Sequence, residues 1–203
     1  MATELRTSPA PILSARDLRY QYPGGKTAIQ SLSLDVLEGE KVGLLGPTGS
    51  GKTTALLVLL GVLEGTGKIA YKGKSFAAKD LEKVRSFTGI LFQNPDDQLY
   101  SKMVEDIVAS DLVYQGLTKG EIKKRVDAAL DLVGIKEVAR RRLDQLSGGQ
   151  RKKVAIASIL AAKPDFLILD EPCTGLDPQA RLEFIDMLCL LPKTMLVLSH
   201  DPE

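Results

Sequence analysis

The eight residues Gly46-Pro-Thr-Gly-Ser-Gly-Lys-Thr53 constrain this chain more than any other stretch. They match G-x-x-x-x-G-K-[ST], a pattern that carries a mechanism only when a strand runs into it and a helix leaves it. Both flanks read that way. Lys41 to Leu45 has the look of a buried strand, and Thr53 to Leu63 is long enough and Leu-rich enough for a helix. Gly46, Gly49 and Gly51 let backbone N–H groups turn inward without Cβ clashes, and the helix start adds the positive end of its dipole. Gly46, Pro47, Thr48, Gly49, Ser50, Gly51, Lys52, Thr53 and Thr54 are therefore the candidate phosphate-binding set. Lys52 supplies the charge and Thr53 a hydroxyl for Mg²⁺. The plain alternative is a glycine-rich turn beside a surface lysine.

Four apolar residues, Phe166-Leu-Ile-Leu169, end in Asp170-Glu171, so two carboxylates emerge at the carboxyl end of a buried strand. That is the edge where α/β sheets bind ligands. Asp170 is the candidate to hold Mg²⁺, and Glu171, one residue further out, to polarise an attacking water. Alternatively, Asp-Glu-Pro172 caps the next helix.

Leu146-Ser-Gly-Gly-Gln150 precedes a helical pattern containing Val154, Ile156, Ile159 and Leu160, with Ser147 well placed as its N-cap. Gly148 and Gly149 bare their N–H groups at that helix start and make a second anion site, which one mononucleotide has no obvious need of. The bland account is a cap with two flexible glycines. Spacing alone does not say whether the two sites act on one ligand.

The remaining pattern places these pieces in one α/β unit. Leu32, Leu34 and Val36 alternate with polar residues as in an antiparallel strand, turned by Glu38-Gly39-Glu40. Thr88 to Phe92, Phe166 to Leu169 and Met195 to Leu198 read as buried parallel strands, and helices at 147 to 162 and 179 to 190 alternate with the last two. Residues 103 to 134 read as two amphipathic helices broken by Gln115-Gly116, a small helical lobe. The 203 residues are 44% hydrophobic and 26% charged, which excludes disorder for most of the chain. With Lys+Arg 27 against Asp+Glu 26, no global field exists to hold nucleic acid or anionic lipid, so a polyanion must be gripped locally. The longest apolar run, Ala55 to Leu63, is far short of the ~20 residues a membrane helix needs. Two cysteines, Cys173 and Cys189, make no disulfide framework and fit a reducing compartment. Residues 1–11 read as a flexible lead-in and 12–203 as one domain, with the helical lobe at about 94–145.

GPTGSGKT, LSGGQ, LILDEP and Gly175-Leu-Asp177, in that order, resemble the ATP-binding subunit of an ABC transporter over about residues 12 to 203. The resemblance implies a P-loop NTPase core with a mainly parallel sheet, an N-terminal antiparallel β portion and the small helical lobe. It also implies two subunits dimerising head to tail, as a homodimer or heterodimer. Each ATP would then lie between the phosphate loop of one and Ser147, Gly148, Gly149 and Gln150 of the other, with Asp177 reaching across. By the same resemblance Tyr22 matches the aromatic that stacks on adenine, with Tyr20 as its competitor. Gln93 matches the glutamine that touches Mg²⁺ and water and senses the membrane partner, and otherwise is a solvated loop residue. His200, the only histidine, matches the γ-phosphate contact. Lys52, Gln93, Glu171 and His200 thus form the implied catalytic set; Thr53, Gln93 and Asp170 form the metal set; ATP and Mg²⁺ are the cofactors.

Leu91-Phe-Gln-Asn-Pro-Asp-Asp-Gln-Leu99 and the early Tyr-Pro-Gly-Gly are similar to energy-coupling-factor and cobalt or nickel importer ATPases. The implied function is to power uptake of a metal ion or vitamin from the cytoplasmic face of the cell membrane, with separate transmembrane subunits and no nucleic acid. Two other classes compete. A non-membrane ABC ATPase of DNA repair or the ribosome lacks support, since no sustained heptads separate Lys52 from Leu146 and no basic stripe exists. A small-molecule P-loop kinase would find lid arginines in Arg140-Arg-Arg142 but leaves LSGGQ unexplained. Relatives continue past the histidine, so the expectation is a chain without the usual C-terminal end. Arg151-Lys-Lys153 is expected to be a solvated helix face.

Overall fold

A computed structural model describes residues 11–76, 80, 84, 86–93 and 101–201. The lead-in before Pro11 and the Asn94–Leu99 portion of the subfamily segment lie outside them. Pro11 itself is not part of a lead-in: it opens strand β1 (Pro11–Gln21), which pairs antiparallel with β2 (Thr27–Leu37) and β4 (Thr66–Tyr71). With β5 (Lys74–Phe76) these form a four-stranded sheet in the order β2-β1-β4-β5. The second sheet joins β3 (Lys41–Leu45), β8 (Thr194–Ser199), β7 (Phe166–Asp170) and β6 (Thr88–Leu91) in that order, all pairs parallel.

Alternation along the central strands divides the core in two. Leu167, Leu169 and Met195 face a helical side made by α2 (Val104–Tyr114), α3 (Lys119–Leu132), α4 (Gly148–Ala161) and α5 (Pro178–Leu190). Phe166, Ile168, Leu196 and Leu198 face α1 (Lys52–Leu59) and the antiparallel sheet, packing with Leu56, Leu59, Leu13 and Leu18. All five residues of β7 are buried, which is why it reads as an unbroken apolar run rather than an alternating one. Each such Leu, Ile or Phe contributes about 1.5–3 kcal/mol on burial.

β3 departs from expectation: among the described residues it pairs with β8 alone, with an exposed–half-buried alternation that leaves Leu45 56% exposed. A run of apolar letters does not disclose which strands will lie beside it. α1 is also shorter than the pattern, ending at Leu59 before a turn at Gly61, whose φ is 66°. The two amphipathic helices expected over 103 to 134 are present, broken at Gln115-Gly116. α2 buries Val104, Ile107, Val108 and Leu112, and α3 opens with a Thr118–Glu121 capping box and buries Val126, Ala129 and Leu130. Neither helix of 11 or 14 residues approaches a coiled-coil arm.

Candidate functional site

The phosphate loop connects the end of β3 to the start of α1 and lines an open cleft of about 730 Å³. Gly51 is indispensable to its path: φ is 95°, and a Cβ there would stand 2.4 Å from the Ala28 carbonyl oxygen. Among the described residues no side chain caps α1, so its first N–H groups stay available to a ligand. Lys52 is buried and folds back over the loop, donating to Gly46 O at 2.7 Å and Pro47 O at 3.1 Å. Its ammonium also lies 3.4 Å from Glu171 Oε1.

The strand-end carboxylates sit where the sequence puts them, and they do not cap a helix; Asp177 does that for α5, accepting from Ala180 N–H at 3.0 Å. Glu171 leaves β7 with φ 49°, in the left-handed region, and its N–H donates to Leu198 O at 2.9 Å. Its Oε2 is 2.7 Å from His200 Nδ1 at the end of β8. One carboxylate therefore spans the loop lysine and the lone histidine.

Asp170 shows the donor set a hard cation needs. Thr53 Oγ1 donates to its Oδ2 at 2.9 Å, while its Oδ1 is buried without a hydrogen-bond partner among the described residues. Burial, with the neighbouring Glu171 carboxylate adding to it, pushes the Asp170 carboxyl above its ordinary value, against the opposing pull of Thr53 and Lys52. Among the described residues no cluster of three His, Cys, Asp or Glu side chains could hold a metal by itself. A hydroxyl and a carboxylate suit Mg²⁺, which takes one or two protein oxygens and completes its shell with water and phosphate.

Tyr22, Thr48 to Thr54, Gln93, Glu171 and His200 all line the cleft. Tyr22, rather than Tyr20, is the aromatic at its wall: its hydroxyl is 2.9 Å from Thr54 Oγ1, and Tyr20 packs edge-on behind it at 5.0 Å between ring centroids. Gly46 and Pro47 contribute carbonyls to Lys52 rather than surface to the cleft. Ser147, Gly148, Gly149, Gln150 and Asp177 are elsewhere. Ser147 caps α4 through a capping box with Gln150, and a Cβ on Gly149 would lie 3.3 Å from Ala180 Cβ. The glycine pair and the Asp177 cap thus stand side by side on a patch that contributes nothing to the cleft. Arg142 is engaged by Asp144 in its own loop at 2.6 Å, an arrangement unlike a catalytic lid.

Two features escaped the sequence reading. Lys152, expected on a solvated face, is buried and donates to Pro172 O at 2.6 Å. Arg181 on α5 pairs at 2.6 Å with Asp201, the residue after His200. The position of Lys152 within the buried stripe of α4 was a signal for the first; nothing local signals the second.

A family model for ABC transporters matches residues 29–174, well over half of the chain. The chain belongs to the ABC transporter family. It is an ABC-type ATPase domain, and its fold is that of other cassettes of this family. It is 43% identical over 193 residues to a putative ABC transporter ATP-binding protein of Streptomyces avermitilis, covering 95% of this chain and 74% of that one. To the energy-coupling factor transporter ATP-binding protein EcfA of Methanothermobacter thermautotrophicus it is 41% identical over 198 residues, covering 95% and 64%. Among solved structures, cbiO1 of Clostridium perfringens, part of the ABC transporter complex cbiONQ, superposes with a TM-score of 0.88 at 37% identity, covering 95% of this chain and 79% of that one. The ABC cassette MJ0796, solved as a dimer in a post-hydrolysis state with ADP and Pi, gives 0.79 at 27% identity, covering 93% and 88%. No helix of this cassette's described residues is long and apolar enough to cross a membrane.

Proposed function

We propose that this cassette binds ATP with Mg²⁺ in the cleft and hydrolyses it to ADP and phosphate, driving an importer of a metal ion such as cobalt or nickel, or of a vitamin. It acts at the cytoplasmic face of the membrane beside separate transmembrane subunits. The kinship with EcfA and cbiO1 supports the importer reading and the membrane partners.

The observation that carries the chemistry is the Lys52–Glu171–His200 chain beside the unpartnered Asp170 Oδ1. Lys52 exchanges its loop carbonyls for phosphate oxygens. Glu171 takes the proton of the water whose oxygen bonds to the γ-phosphorus as the bond to the bridging oxygen of ADP breaks. His200 orients that carboxylate and reaches the γ-phosphate, Tyr22 stacks on the base, and Gln93 contacts the water. Thr53 and Asp170 would hold Mg²⁺, which when bound neutralises charge on the phosphate oxygens. Ser147 to Gln150 and Asp177 serve the site of a second ABC subunit, identical or homologous, since they lie outside this chain's own cleft. Closing that joint around ATP is the power stroke, and hydrolysis reopens it.

Lys52→Ala tests the cleft directly. Calorimetric titration with ATP should show binding reduced by at least about tenfold, in keeping with loss of a charge-assisted contact; unchanged affinity refutes the assignment. Purifying the protein from native membranes and identifying its companions tests the importer reading.

A further inference from the structure

α4 turns an apolar stripe to the core: Ala155, Ile156 and Leu160 are buried, and Lys152, three and four residues ahead of the first two, lies on the same stripe at 6% exposure. Met or Leu would serve there at no loss of helix propensity. A buried ammonium instead carries a heavy desolvation penalty that its contacts must offset.

The contact is specific. Lys152 Nζ donates at 2.6 Å to the carbonyl of buried Pro172. Pro172 belongs to the turn Glu171-Pro-Cys-Thr174, which closes through Thr174 N–H to Glu171 O at 3.1 Å and makes no use of the Pro172 carbonyl. Glu171 enters this turn at φ 49°, a conformation that persists in a non-glycine residue only where the surroundings over-determine it. Two contacts flank it: Leu198 O holds the Glu171 N–H at 2.9 Å on one side, and on the other Lys152 holds the Pro172 carbonyl, one peptide beyond the Glu171–Pro172 bond. The same α4 begins at Ser147, whose hydroxyl accepts from Gln150 N–H at 3.2 Å. The Ser147 cap and the Lys152 ammonium thus belong to one helix, which reaches from that patch to the Pro172 carbonyl of the turn that Glu171 opens.

We propose that Lys152 is a positioning residue that ties the orientation of Glu171 to the state of the Ser147–Gln150 helix start, so that a phosphate group docked on that patch is felt at the base of this chain's own cleft. The inference rests on the reading of Glu171 as the base and extends it: one buried amine couples the two phosphate sites to which the chain contributes.

The test uses the full chain with Lys152→Met, Lys152→Gln and Lys152→Arg, beside Glu171→Gln. The Met and Gln variants should bind ATP within about twofold of wild type, sediment as dimers with ATP, and lose at least about tenfold in kcat with KM nearly unchanged. Lys152→Arg, which keeps a cationic donor, should restore kcat to within about threefold. Gln decides where Met does not fold. A folded neutral variant with wild-type kcat, or one whose ATP affinity falls as far as its kcat, overturns the coupling while leaving the base reading intact. Glu171→Gln with normal turnover overturns both.

Discussion

Replacing Glu171 by Gln should move binding and turnover in opposite directions. The carboxylate is buried, 3.4 Å from Lys52 Nζ and 2.7 Å from His200 Nδ1. A unit charge pair at the lysine distance with an effective dielectric of 20 is worth about 5 kcal/mol before desolvation. Most of that is offset by keeping both charges out of water, leaving roughly 1–2 kcal/mol. ATP must overcome this remainder to draw Lys52 onto phosphate. Gln keeps the volume and a polar head, and Lys52 retains Gly46 O and Pro47 O in the empty site. ATP affinity should therefore rise about 5- to 30-fold. Turnover should fall by about two to four orders of magnitude, the usual contribution of a positioned base. Calorimetric titration reads the first, phosphate release the second, and sedimentation with ATP should show the variant held as a dimer. A packing defect would lower affinity and turnover together. Turnover close to wild type, or affinity that drops, refutes the reasoning.

Thr53→Val removes the hydroxyl that donates to Asp170 Oδ2 and should lower nucleotide-free stability by about 1.5–3 kcal/mol in urea unfolding. It should also abolish the Mg²⁺-dependent part of ATP affinity; equal affinities with and without Mg²⁺ in wild type would remove the metal assignment. The raised Asp170 carboxyl gives a pH signature. Above the ordinary value of 3.8 the folded state holds this proton more tightly than the unfolded chain does, so its stability contribution is present in acid and lost as pH rises through the raised value. Urea unfolding of the nucleotide-free protein across that window should show a falling component that Asp170→Asn removes; an identical pH profile in the variant would count against it.

The parts of this site legible in the sequence share one property: each is closed by residues adjacent in the chain. The Gly46–Thr53 loop needs its glycines because the backbone takes positive φ at Gly49 and Gly51, and the Ser147–Gln150 capping box completes itself within four residues. What stayed hidden depends on pairing over distance. β1 is obscured because its alternation breaks at a bulge between Ala15 and Leu18, where Asp17 adopts φ 48° and its N–H turns to Ser33 Oγ. β4 opens at Thr66 and carries Gly67 at φ 110° as its second residue, a position that turn chemistry explains better than strand propensity until β1 is beside it. Leu45 reads as core and lies exposed because among the described residues β3 pairs on one side alone, and strand order is not written in composition. Lys152 is the instructive failure. Its letter says solvent and its phase on α4 says core, and when charge and period disagree at one position, the period reports where the side chain must go and the charge reports that something there needs a donor. The donor's partner, the carbonyl after Glu171, lies twenty residues away and is brought there only by the crossover from α4 to β7.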